Sequence, residues 1–140
     1  LNVRAGCPNL IERIEGGLLS YGSDMQRDDT PYECGLGRFC DSPYMYFGRN
    51  ALSAQAKHGP NKIIRPISIA GDIETCTSVW PLFSEGACVG QVTSATWSPD
   101  FNTNVAIGMV DKTHWYPDTR LEVETSAGMR DATIQARFWA

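Results

Sequence analysis

The chain has 140 residues, with 12 basic and 16 acidic side chains giving a formal net charge of −4, and 42% of its residues are hydrophobic. That length suits one ordinary domain, or a small domain with a fragment of another. Lysine and arginine are scattered, which argues against nucleic acid or an anionic membrane as a partner, and no apolar run approaches the roughly 20 residues that span a bilayer.

The opening "LNVRAGCPNL" has no initiator methionine and lacks the charged-then-apolar layout of a secretory signal, so it reads as a cut inside a longer chain. The first predicted element covers residues 9–21. Asn9 and Glu12 have capping-box spacing, with Pro8 just before. Leu10, Ile11, Ile14, Leu18 and Tyr21 then fall on one apolar stripe at helical period. Gly16 and Gly17 stand inside this predicted helix, on the same sector as Arg13, and each costs roughly 1 kcal/mol relative to alanine. Two readings remain open. A helix thinned beside a fixed cation is a wall for a flat or anionic ligand. Alternatively, the glycines allow close packing and Arg13 forms a salt bridge.

Residues 22–43 read as loop and short extended pieces, with Asp28-Asp29 a solvated turn. Helix formers run from Asn50 to Lys57 and stop at Gly59-Pro60, leaving His58 near the terminal carbonyls. From Lys62 the period changes to two. "KIIRPISIA", "GACVGQVTSATW", "TNVAIGMV", "TRLEVETS" and "RDATIQARFW" are strand candidates, with turn signals at 84–86, 117–118 and 127–128. The pattern predicts a mainly β chain: an antiparallel β-barrel of five to six strands over 62–140, preceded by a helical and loop region over 1–61. Its predicted core is Ile67, Ile69, Val89, Val92, Val105, Ile107, Leu121, Val123, Ile134 and Phe138.

Cys7, Cys34, Cys40, Cys76 and Cys88 are odd in number and irregularly spaced. They read as reduced, mostly buried thiols of a cytoplasmic protein rather than as zinc ligands or a disulfide framework. His58 and His114 lie in unrelated contexts, which gives little support to a nucleophile–histidine pair. Tyr44, Tyr46, Trp80, Trp97 and Trp115 either line a ligand cleft or seal the barrel.

Four blocks occur in order: "RIEGGLLSYGSDM", "TPYECGLGRFCD", "YFGRNAL" and "GQVTSATWSPDFNTNVAIGMV". Together they resemble the C-terminal portion of the glycine cleavage T-protein (aminomethyltransferase) family, in patterns of the form R-L-E-x-G-x-x-x-Y-G-x-D, T-P-x-E-x-G-L, F-I-G-[KR]-x-A-L and G-x-V-T-S-x-x-x-S-P. The resemblance implies a final β-barrel domain packed on upstream folate-binding domains, with residues 1–61 the end of that folate-binding region. It implies tetrahydrofolate as co-substrate and a small methyl donor, either a sulfonium such as dimethylsulfoniopropionate or, alternatively, the amine carried by the glycine cleavage system. Arg13 and Tyr21 match motif positions near the folate cavity. No residue of the chain matches the family's catalytic acid, and Gly16 stands where the family pattern has alanine. A competing expectation is a stand-alone barrel that binds a partner and catalyses nothing.

Overall fold

A computed structural model describes residues 8–140 of the chain. Helix α1 spans Leu10–Glu15 and helix α2 Arg49–His58, with a 3-10 turn at Gly37–Phe39 between them. Six strands follow: β1 Lys62–Ile69, β2 Trp80–Ser84, β3 Ala87–Ser98, β4 Thr103–Asp111, β5 Arg120–Thr125 and β6 Gly128–Ile134. They close in the order β1-β4-β3-β2-β5-β6, with every pairing antiparallel. No helix among the described residues is long and apolar enough to cross a membrane.

The alternating pattern works as expected in β5, where Leu121 and Val123 are buried and Glu122 and Glu124 exposed. The barrel interior is filled by a cluster that includes Ile67, Ile69, Leu82, Val92, Val123 and Ile134. Val105 and Ile107 do not belong to it. With Ile64 and Met109 they form the outer face of β1 and β4, and Ile14 of α1 covers them. β4 is therefore buried on both faces, which gives its near-continuous apolar run. β2 was missing from the sequence reading: "WPLFS" is short and contains a proline, yet Trp80 and Leu82 are core residues. β6 ends at Ile134, so Phe138 lies beyond the last strand and packs, partly buried, on the outer cluster.

α1 differs from the predicted helix over 9–21. The capping box is present, with Asn9 Oδ1 accepting from the Glu12 N–H at 2.9 Å and the Glu12 carboxylate accepting from the Asn9 N–H at 3.1 Å. The helix stops at Glu15, with Gly16 as its cap and Gly17 left-handed at φ +65°. The glycines do not sit inside a helix; they end one. A Cβ on Gly17 would lie 2.5 Å from the Phe138 ring. The group that approaches Gly17 therefore comes from the chain's own C-terminal segment. Beyond Gly17 the chain turns, so Leu18 and Tyr21 leave the apolar stripe and are exposed.

Among the described cysteines, all four are free, but only Cys34 is buried; Cys40 and Cys76 are half-buried and Cys88 is exposed. This corrects the expectation of mostly buried thiols, and Cys7 lies outside the described residues.

Candidate functional site

Arg13 leaves the last turn of α1 and meets Asp24, which the loop after α1 brings back beneath the helix. The guanidinium donates through Nη1 to Asp24 Oδ2 at 2.5 Å and to the Leu18 carbonyl at 3.0 Å, and through Nη2 to Ser94 Oγ at 2.7 Å. Asp24 is fully enclosed by its partners. Its Oδ2 also accepts from the Ser20 N–H at 2.8 Å, while Oδ1 accepts from the hydroxyls of Thr93 and Ser94, each at 2.7 Å. Burial alone would push the Asp24 carboxyl up. The hydrogen bonds from Ser94, Thr93, Ser20 and Arg13 outweigh it and hold the group below the usual carboxylate range.

Two consecutive strand residues normally point to opposite faces, yet Thr93 and Ser94 reach the same carboxylate oxygen. A β-bulge makes this possible. Val92 pairs with Gly108 and Ser94 with Ile107, so Thr93 is the extra residue of β3. A second tie joins the same elements. Glu15, buried at the end of α1, accepts from Ser98 Oγ at 2.5 Å, and Ser98 Oγ in turn caps the Phe101 N–H.

Arg13, Asp24, Thr93 and Ser94 all line a cavity of about 360 Å³ between the loop, β3 and the strap 76–79. Lys62 and Asp29 line it too, paired at 2.6 Å. Burial works against the charge of Asp29, but the ammonium of Lys62 and the Gln26 N–H hold its carboxyl down, and the same contact raises Lys62. Asp29 is thus an ion-pair member and not a merely solvated turn residue. Cys76 also faces the cavity; burial pushes its thiol up to about 11, so it stays protonated there.

The structure separates the two sequence-predicted site residues. Tyr21 is 69% exposed and lines a neighbouring cavity of about 320 Å³, which shares Gln26 and Asp29 with the first. None of the aromatics proposed for a cleft lines the Arg13 cavity: Trp80 is core, Trp115 packs on the core beneath Arg65, and Tyr44 and Trp97 point to solvent. Sequence reasoning missed Asp24, Thr93 and Ser94. All three lie in quoted motif blocks, as the aspartate of Y-G-x-D and the pair in V-T-S, and that was the available signal.

The sequence pattern of the glycine cleavage T-protein C-terminal barrel domain matches residues 66–139. The dimethylsulfoniopropionate demethylase DmdA of Ruegeria pomeroyi is 60% identical over 139 residues, covering 99% of this chain and 38% of that protein. An aminomethyltransferase of Synechococcus is 32% identical over 127 residues, 89% of this chain and 34% of that protein. The crystal structure of glycine cleavage system aminomethyltransferase T from Bartonella henselae superposes with a TM-score of 0.79 over 94% of this chain and 37% of that one; at 21% identity, this likeness speaks for the fold. The chain thus spans between a third and two-fifths of the length of these relatives.

Proposed function

The chain belongs to the glycine cleavage T-protein C-terminal barrel family, and from that premise we propose that it is the C-terminal part of a cytoplasmic, tetrahydrofolate-dependent demethylase acting on dimethylsulfoniopropionate. One observation carries the choice of donor: identity to the demethylase is 60%, against 32% to the aminomethyltransferase. In this reading the sulfonium S–CH3 bond breaks as the methyl group passes to a nitrogen of tetrahydrofolate. Sulfur leaves as a neutral thioether and the nitrogen gives up a proton. Such a transfer depends on aligning donor and acceptor and excluding water.

The role of this chain is to contribute part of the folate wall. Arg13 is the residue we assign to it, because its guanidinium reaches a polar cavity from a fixed position. Tyr21 belongs to the adjoining cavity and would meet a different part of the ligand or a neighbouring domain. The donor pocket and the catalytic acid lie in upstream domains on which the barrel packs, so the 140-residue chain alone is inactive.

The test is one-carbon transfer by the full-length gene product, supplied with tetrahydrofolate and either dimethylsulfoniopropionate or a lipoyl carrier loaded with an aminomethyl group. Methylated folate with the sulfonium alone supports the proposal. Turnover only with the carrier would instead make the protein an aminomethyltransferase, the reading favoured by the second group of relatives.

A further inference from the structure

A guanidinium has five N–H donors. Arg13 uses three of them, two on Nη1 for Leu18 and Asp24 and one on Nη2 for Ser94. Among the described residues, nothing accepts from its Nε–H or its second Nη2–H. The Arg13 side chain is about one-fifth exposed and lines the 360 Å³ cavity, so these two donors are the ones left to meet an occupant of it. The other cation that lines this cavity, Lys62, has its own carboxylate in Asp29.

From this we infer that Asp24 is a positioning residue, which aims the remaining donors of Arg13 into the cavity and cancels its charge, so that Arg13 serves a neutral planar acceptor, a carbonyl or ring nitrogen, rather than a carboxylate. The reasoning is electrostatic as well as geometric. Asp24 holds one edge of the guanidinium through Oδ2 directly and through Ser94 by way of Oδ1, and the bulge at Thr93 locks Oδ1 from the other side. A ligand carboxylate on the remaining donors would share the arginine with a second, enclosed carboxylate. Because Asp24 is enclosed, water screens that repulsion only in part. A carbonyl meets no such opposition.

The inference rests on the folate reading and is tested so that the two fail separately. Dissociation constants are measured on the full-length protein for tetrahydrofolate and for its derivative with both glutamate carboxylates amidated, with a thermal melt of each variant alongside. Arg13→Lys should weaken both ligands equally, by about tenfold, the size of one lost charge-assisted hydrogen bond. Loss confined to the carboxylate form would show that Arg13 holds an anion and would overturn the inference. Asp24→Asn should weaken both ligands by a similar factor. Should that variant not fold, Ser94→Ala, which releases Nη2 while keeping the Arg13–Asp24 pair, is expected to weaken both by about threefold. Melting temperatures that fall while affinity stays at the wild-type value would reduce Asp24 to a purely structural role. If the wild type binds neither form, the folate reading itself fails.

Discussion

The barrel and the segment from Leu36 to His58 are built from similar proportions of apolar residues but behave in opposite ways. In the barrel, alternate residues of six paired strands fill one interior, and Ile67, Leu82, Val92, Val123 and Ile134 lose all contact with solvent. In the segment, Phe39, Tyr44, Met45 and Phe47 are exposed and α2 buries no residue. The difference lies in closure. A strand set that returns on itself supplies partners for its own apolar face, whereas a lone helix with aromatic neighbours finds none among the described residues. Stability of the chain should therefore depend on the barrel and its α1 cover, and hardly at all on residues 36–58.

The largest effect tests the barrel side directly. Leu82→Ala removes a fully buried side chain from β2, and the expected loss is about 2–5 kcal/mol in urea unfolding. Ile14→Ala should cost about as much, because Ile14 is equally buried and is the α1 residue that covers the outer face of β1 and β4. A loss below about 1 kcal/mol for Ile14→Ala would show that α1 is not part of the folded unit.

Gly17→Ala comes next. It forces an alanine to φ +65° and drives its methyl into the Phe138 ring, at an expected cost of about 1–3 kcal/mol. Gly16 is right-handed and its added methyl would meet the Glu12 carbonyl at 3.3 Å and the Leu18 side chain at an ordinary 3.9 Å, so Gly16→Ala should stay within about 0.5 kcal/mol of wild type. Repeating Gly17→Ala in a Phe138→Ala background separates the clash from the backbone strain. A cost undiminished there would assign all of it to the dihedral angle.

How far the sequence discloses all this follows from the range of the interactions. Alternation within a strand and a capping box are local, so five of the six strands and the Asn9–Glu12 cap were legible. The end of α1 was not. Helical spacing of Leu18 and Tyr21 continues across Gly17 by coincidence and masks the stop that the glycine pair signals, while the position of Phe138, 121 residues onward, shows why no side chain fits at Gly17. Arg13 was legible as a fixed cation. Its anchor was not, because Asp24 returns through a turn, and Thr93 with Ser94 share it only through a bulge that one residue out of register creates.

A smaller effect should appear at acid pH. The folded chain holds Asp24 below the 3.8 of an unperturbed carboxyl. Above about pH 5 the carboxyl is ionised in both states and its contribution is complete. As pH falls below that value, the unfolded chain binds the proton first. The contribution then declines until the folded carboxyl is protonated too. Asp29, also lowered, adds to the same limb, though as a more exposed group it adds less. In urea midpoints measured from pH 6 to pH 2, Asp24→Asn should make the acid decline shallower than in wild type. An unchanged slope would mean that Asp24 is not held low.

The smallest effect is expected on the open side. Phe47 is fully exposed, so Phe47→Ser should leave the unfolding midpoint of the chain within about 0.5 kcal/mol of wild type. α2 has ten residues, no side-chain cap and no buried face. A helix that short is marginal in water unless something packs on it. Its amides should accordingly exchange with solvent far faster than those of β3 and β4, whose opening requires the barrel to open. Hydrogen exchange on the 140-residue chain reads both regions at once. Slow exchange across Arg49–His58 would break the comparison, since it would mean that α2 has a packing partner within the chain. In the full-length protein, the same amides becoming protected while those of the barrel stay unchanged would sharpen it. The exposed aromatics would then be one half of an interface whose other half lies on another domain, and Phe47→Ser, silent in the short chain, would lower the stability of the long one.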